Sequence, residues 1–238
     1  MELVLDRLTK QYRNKIAVDR VSLKLGEGVH GLLGANGAGK TTLMRMVSGL
    51  ARPNAGTIEL FGQTDIENQR ARIGTLIESP GLYRGMSARE NLEVVRRAYG
   101  IPDKSIVEHT LSFVGLADTE KKKAGNFSMG MKQRLGIAIA LLRSPDFLIL
   151  DEPINGLDPQ GIKQMRELLV KLNREKNITI MISSHILGEL SKIATAYGII
   201  RGGALAEEFD ATELSKRCRR CQRLAVDNTE QAVHILEE

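Results

Sequence analysis

Gly34-Ala35-Asn36-Gly37-Ala38-Gly39-Lys40-Thr41-Thr42 fits the pattern G-x-x-x-x-G-K-[ST] with no mismatch. The apolar run Val29-His30-Gly31-Leu32-Leu33 precedes it and is short enough for a buried strand. Leu43-Met44-Arg45-Met46-Val47 follows and is good helix material. Strand, glycine loop and helix in that order are the setting of a phosphate-binding loop. The glycines tolerate positive φ and keep side chains out of the way, so the backbone can curl around an anion. The loop amides and the helix N-terminus then turn partial positive charge toward the phosphates. Lys40 adds a full charge at the β/γ-phosphates, and the Thr41 hydroxyl is placed to ligate Mg²⁺.

Hydrolysis of a triphosphate also needs an acidic group on the metal and a group that positions water. Phe147-Leu148-Ile149-Leu150 is a continuous apolar run, the pattern of a parallel strand buried on both faces. It delivers Asp151 and Glu152 at its end, Asp151 in place for Mg²⁺ and Glu152 in place to polarise water. Thr179-Ile180-Met181-Ile182 is a second such strand, ending in Ser183-Ser184-His185. A lone histidine is more often structural, so a γ-phosphate contact by His185 depends on the other motifs. Ser128 and Gly130 open a helix that runs on to Leu142, again an anion-binding arrangement. Asn155-Gly156-Leu157-Asp158-Pro159 is a turn, with Pro159 suited to start the helix that runs to about residue 176.

The rest of the chain frames these segments. Residues 2–6 and 21–25 alternate apolar and polar, as half-buried antiparallel strands do. Tyr12 lies between them in a basic turn, Lys10 to Lys15, open either to solvent or to stacking on a base. Residues 57–62 and 73–77 read as strands, the second ending at Glu78 beside Pro80-Gly81. Ser87-Ala88-Arg89-Glu90 is a capping box, and a second helix is expected over about 104–114. Residues 196–200 and 204–207 flank Arg201-Gly202-Gly203 as a hairpin.

A chain of 238 residues fits one large α/β domain, or one with an appendage. Its net charge of +5 suits an anionic ligand or an acidic lipid surface without demanding nucleic acid. With no Trp and 4% aromatics, an aromatic platform for single strands is not expected. Neither a secretory signal nor a membrane-spanning run is seen, so any spans come from another chain. Cys218 and Cys221, in Cys-Arg-Arg-Cys, lack the partners of a zinc set and read as reduced thiols on a basic segment. A cytosolic location fits them. From Asp210 the texture changes, with possible capping boxes at 210–213 and 227–230 around a short strand.

Taken together, these motifs resemble the nucleotide-binding subunit of ABC transporters, over about residues 1–208. That resemblance implies an α/β fold: a P-loop NTPase (ABC ATPase) core, an antiparallel β subdomain, and an α-helical subdomain over about 84–142. It makes Tyr12 the base-stacking aromatic and residues 34–42 the Walker A loop. Asp151 and Glu152 end Walker B, Asn155 to Asp158 form the D-loop, and His185 is the switch histidine. The implied cofactors are ATP and Mg²⁺, with Thr41, Asp151 and Glu78 toward the metal and Glu152, His185 and Lys40 catalytic. Two departures stand out. Phe127-Ser128-Met129-Gly130-Met131 replaces Leu-Ser-Gly-Gly-Gln, keeping the serine and the second glycine. Glu78 stands where the family has a glutamine. Glu78-Ser79-Pro80-Gly81 with Glu90-Asn91-Leu92 looks like the bacitracin-resistance and lantibiotic-immunity exporter branch, whose longer C-terminal region implies that residues 209–238 begin a truncated α/β appendage. The resemblance further implies two subunits enclosing two ATP molecules, as a homodimer or a pair of ABC subunits. It also implies a separate membrane permease, a peripheral place on the inner membrane face, and export of an antimicrobial peptide or similar amphipathic compound. A soluble ABC ATPase acting on ribosomes or DNA is the alternative. It fits less well, because the chain has neither a second cassette nor a long coiled-coil insertion.

Overall fold

The computed structural model describes residues 2–119 and 121–217. The cysteine pair, the strand expected at 223–226 and the second capping box lie outside them. Six strands form the central sheet in the order β5-β6-β7-β3-β8-β9. They are β5 (Ile73–Leu76), β6 (Phe147–Leu150), β7 (Thr179–Ser184), β3 (Val29–Leu33), β8 (Ala196–Arg201) and β9 (Ala204–Asp210). All neighbouring pairs are parallel except the β8–β9 hairpin. A second sheet, order β2-β1-β4, is antiparallel and comprises β1 (Leu3–Tyr12), β2 (Lys15–Leu25) and β4 (Ala55–Leu60).

The pleat of the buried strands explains the layering. Successive side chains point to opposite faces, and along β6 Phe147 and Ile149 join one apolar core while Leu148 and Leu150 join another. The first core lies between the two sheets and encloses α1 (Lys40–Val47) through Leu43, Met44, Met46 and Val47. The second is covered by α3 (Ala88–Ala98), α4 (Ser105–Phe113), α5 (Met129–Leu141) and α6 (Pro159–Lys176). Short helices α2 (Ile66–Gln69), α7 (Leu187–Leu190) and α8 (Ala211–Arg217) complete the described chain. Each fully buried leucine stabilises by about 1.5–3 kcal/mol over an exposed one, so a strand apolar on both faces anchors its own ends firmly.

Local signals act as expected in several places. Ser87 accepts from the Glu90 amide while Glu90 accepts from the Ser87 amide, closing the capping box of α3. Ser128 and Asp158 are the N-caps of α5 and α6, Pro159 following at the first turn of α6. The region from Lys10 to Lys15 departs from the turn expected there. β1 runs to Tyr12 and β2 begins at Lys15, paired Tyr12↔Lys15 across Arg13 and Asn14. The strand was hidden because bulges interrupt its register and its end is exposed, so the apolar alternation fades. Helix α2 was not anticipated, being only one turn with no buried residue.

His30, on β3, is 9% exposed, and its Nε2 lies 3.1 Å from the Gly26 carbonyl. Burial pushes its pKa below the ordinary value, with the Gly26 and Glu27 backbone opposing the shift. The unfolded chain therefore takes up this proton more readily than the native one. The stabilising contribution is complete above the unfolded pKa of about 6.5 and is lost as pH falls from there through the native value. Lys24 and Glu208 line the same small cavity, and burial raises the Glu208 pKa, which acts in the opposite sense. Comparison with His30→Gln isolates the histidine: between about pH 8 and pH 5 the variant should lose less Tm than the parent. Parallel melting curves would rule this out.

Candidate active site

Parallel register brings the chemistry to one edge. Leu33 is level with Ser184, and Leu150 with Ile182 and Leu76. The loop after β3, the acids after β6, the residues ending β7 and Glu78 after β5 therefore emerge together at the C-terminal edge of the sheet, where open α/β folds bind ligands.

Gly39 is the N-cap of α1 with φ of 114°, and a Cβ there would sit 2.4 Å from the Ala17 carbonyl oxygen. No other residue fits this position. Gly37 also has positive φ, 78°, but nothing lies within 4 Å of its would-be Cβ, so that side of the loop is open to an incoming group. Lys40 is 5% exposed; its Nζ donates to the carbonyls of Gly34 at 2.6 Å and Ala35 at 3.2 Å. A cleft of about 300 Å³ is lined by Tyr12, Lys15, Ala17, the loop from Asn36 to Thr42, and Glu152. Tyr12 stands 45% exposed at its rim, with the Lys10 ammonium 5.0 Å from the ring centre.

The acids are held from beneath. Thr41 Oγ1 donates to Asp151 Oδ2 at 2.7 Å. Ser183 Oγ donates to Asp151 Oδ1 at 2.5 Å and accepts from the Glu152 amide at 2.8 Å. Glu152 has φ of 48°, a conformation unusual outside glycine, and such conformations persist where the surroundings over-determine them. Its Oε2 meets His185 Nδ1 at 2.9 Å and its Oε1 lies 3.3 Å from Lys40 Nζ. That second contact is an ion pair only: Glu152 Oε1 is buried and has no hydrogen-bond donor among the described residues. Thr41 and Asp151 together offer adjacent hard oxygen donors of the kind Mg²⁺ takes, so the residues present fit that ion.

The remaining predicted residues lie elsewhere. Ser128 Oγ accepts from the Met131 amide, and Gly130 lies beside Leu157 and Gly161, next to Asp158, whose Oδ1 accepts from the Gly161 amide. None of Ser128, Gly130 and Asp158 lines the cleft of its own chain. Met129 is 52% exposed, whereas Met131 packs against the helical core, which accounts for an apolar side chain there. Glu78, with φ of 66°, pairs with Arg45 of α1. Sequence reasoning passed over Ser183, Lys15 and Arg45. Ser183 left one signal: a hydroxyl closing an apolar strand at the height where the neighbouring strand delivers its acids.

A triphosphate-binding loop, a paired acid strand end and a two-sheet core define a nucleotide-hydrolysing domain. The ABC transporter family profile matches residues 18–155, and the chain belongs to that family. It is 46% identical over 235 residues to the bacitracin transport ATP-binding protein BcrA of Bacillus licheniformis, covering 97% of this chain and 77% of that one. It is 42% identical over 214 residues to the lantibiotic transport ATP-binding protein SrtF of Streptococcus pyogenes, covering 89% and 93%. Its structure matches cbiO1 from Clostridium perfringens, part of the ABC transporter complex cbiONQ, with TM-score 0.81 and 26% identity over 90% of each chain. The chain is thus an ATP-binding, ATP-hydrolysing subunit of an ABC transporter. None of its described helices is long and apolar enough to cross a membrane.

Ser183→Ala removes one donor from Asp151 and leaves the Glu152 amide without its acceptor. Turnover should fall about 10- to 100-fold, the usual effect of losing an outer-shell partner of a metal-side carboxylate. A steady-state phosphate-release assay checks this; parental turnover would show that Ser183 merely fills space.

Proposed function

We propose that this chain drives export of an antimicrobial peptide or similar amphipathic compound through a separate membrane permease, working peripherally on the inner face of the membrane. The names of the bacitracin and lantibiotic relatives, at 42–46% identity, support the substrate class. Residues 1–208 form the nucleotide-binding domain, with a helical subdomain over about 84–142. No nucleic acid is expected as a partner.

The observation that carries the catalytic reading is the placement of Glu152 on the wall of the cleft, one carboxylate oxygen meeting His185 Nδ1 at 2.9 Å and the other lying 3.3 Å from Lys40 Nζ. Glu152 there orients and polarises a water toward the terminal phosphate. His185, bonded to the first carboxylate oxygen, fixes the carboxylate rotamer and reaches the γ-phosphate side. Lys40 neutralises the triphosphate, and the amides of residues 34–42 cradle it. Tyr12 stacks on the base. Thr41 and Asp151 would hold Mg²⁺, which would supply charge neutralisation of the triphosphate, while Glu78, the third residue proposed toward the metal, pairs with Arg45. Ser128, Gly130 and Asp158, remote from their own cleft, serve the cleft of a second copy or paired subunit. Catalysis here is positioning and charge neutralisation, with no covalent intermediate.

Glu152→Gln keeps the side-chain shape but abolishes the carboxylate charge. Phosphate release should fall about 100-fold or more while ATP binding persists, and light scattering should show an ATP-dependent dimer. Undiminished hydrolysis would remove Glu152 from the mechanism.

A further inference from the structure

Glu78 adds a third carboxylate to an edge that already carries two. Leu76 is level with Leu150, and Glu78 and Glu152 each follow two residues after the end of their strand, at the same edge of the sheet. An uncompensated charge there would repel the triphosphate. Arg45 lies four residues after Thr41 on α1, one turn further along the same face. Its Nη2 contacts Glu78 Oε1. Helix α1 thus carries two cations, each paired with a carboxylate of the sheet edge: Lys40 with Glu152 and Arg45 with Glu78.

We propose that Arg45 is a positioning residue for nucleotide binding, which holds Glu78 and cancels its charge so that a carboxylate can stand at the sheet edge that carries the ATP site. The proposal rests on reading residues 34–42 and Glu152 as the ATP site. The side chains are 36% and 60% exposed, so the pair adds little to folding, and its effect is felt by the charged ligand. The pair also joins the loop after β5 to the helix that begins at the phosphate loop.

The test compares Arg45→Gln, Glu78→Gln and the double variant in ATPase assays at low ionic strength, with KM for Mg·ATP, kcat and Tm all measured. Arg45→Gln should raise KM about three- to tenfold with little change in Tm, the size expected of one uncancelled charge several ångströms away in a wet site. The difference should shrink as salt is added. Adding Glu78→Gln to it should bring KM back to within about twofold of Glu78→Gln alone, because the charge needing cancellation is gone. Arg45→Lys, retaining charge without the planar fork, should lie between parent and Arg45→Gln. Parental KM in Arg45→Gln, or a double variant worse than either single one, would overturn the proposal. Lys40→Ala serves as the control for the underlying reading. If it binds ATP like the parent, the site itself is misassigned. If it loses binding while Arg45→Gln does not, only the role of Arg45 falls.

Discussion

A buried ammonium must be paired, and the pairing of Lys40 organises this site. Its charge sits almost out of solvent, bonded to two carbonyls of its own loop and facing Glu152. An ionised group in such a place is tolerated only with its hydrogen bonds made and an opposite charge close by. Meeting that condition draws the loop after β3 toward the acids after β6. Ser183 then fixes those acids from the intervening strand β7. Three neighbouring strands each supply one part. The strand order is therefore a chemical requirement of the site as much as a packing solution.

The cleft is walled by the loop, Tyr12, Lys15 and Glu152, and the helix N-terminus at Ser128 and Gly130 belongs to a different face. That face carries the Ser128 cap, Gly130 and an exposed Met129, beside the N-cap of α6. A helix N-terminus with a glycine in its first turn is suited to an anion held by another molecule. On the proposed reading, a second copy turned head to tail brings it to the open side of the first cleft, and symmetry completes both sites at once.

Much of this was readable from the residues. The loop, the two doubly buried strands and the acids at their ends announce themselves because each obeys a local rule: glycine conformations, apolar runs, caps. What stayed hidden depended on register. Ser183 looks like an ordinary strand-end serine until β6 and β7 are aligned. Arg45 looks like a surface residue of α1 until β5 sets Glu78 beside it. The strand reaching Tyr12 was missed because bulges and an exposed end erase the alternation that marks a strand. Met131, which stands where the family pattern has a glutamine, packs against the helical core, a contact that the sequence alone does not show.

Complementation tests the composite site most directly. One preparation carries Lys40→Ala, the other Gly130→Arg; a Cβ at Gly130 makes only ordinary contacts within its own chain, so the variant subunit should fold. Each alone should be inactive. Mixed, they should regain about a quarter of parental phosphate release, because half the pairs are mixed and each has one intact site. A mixture as silent as its components, with both variants shown to be folded, would contradict a site shared between two subunits.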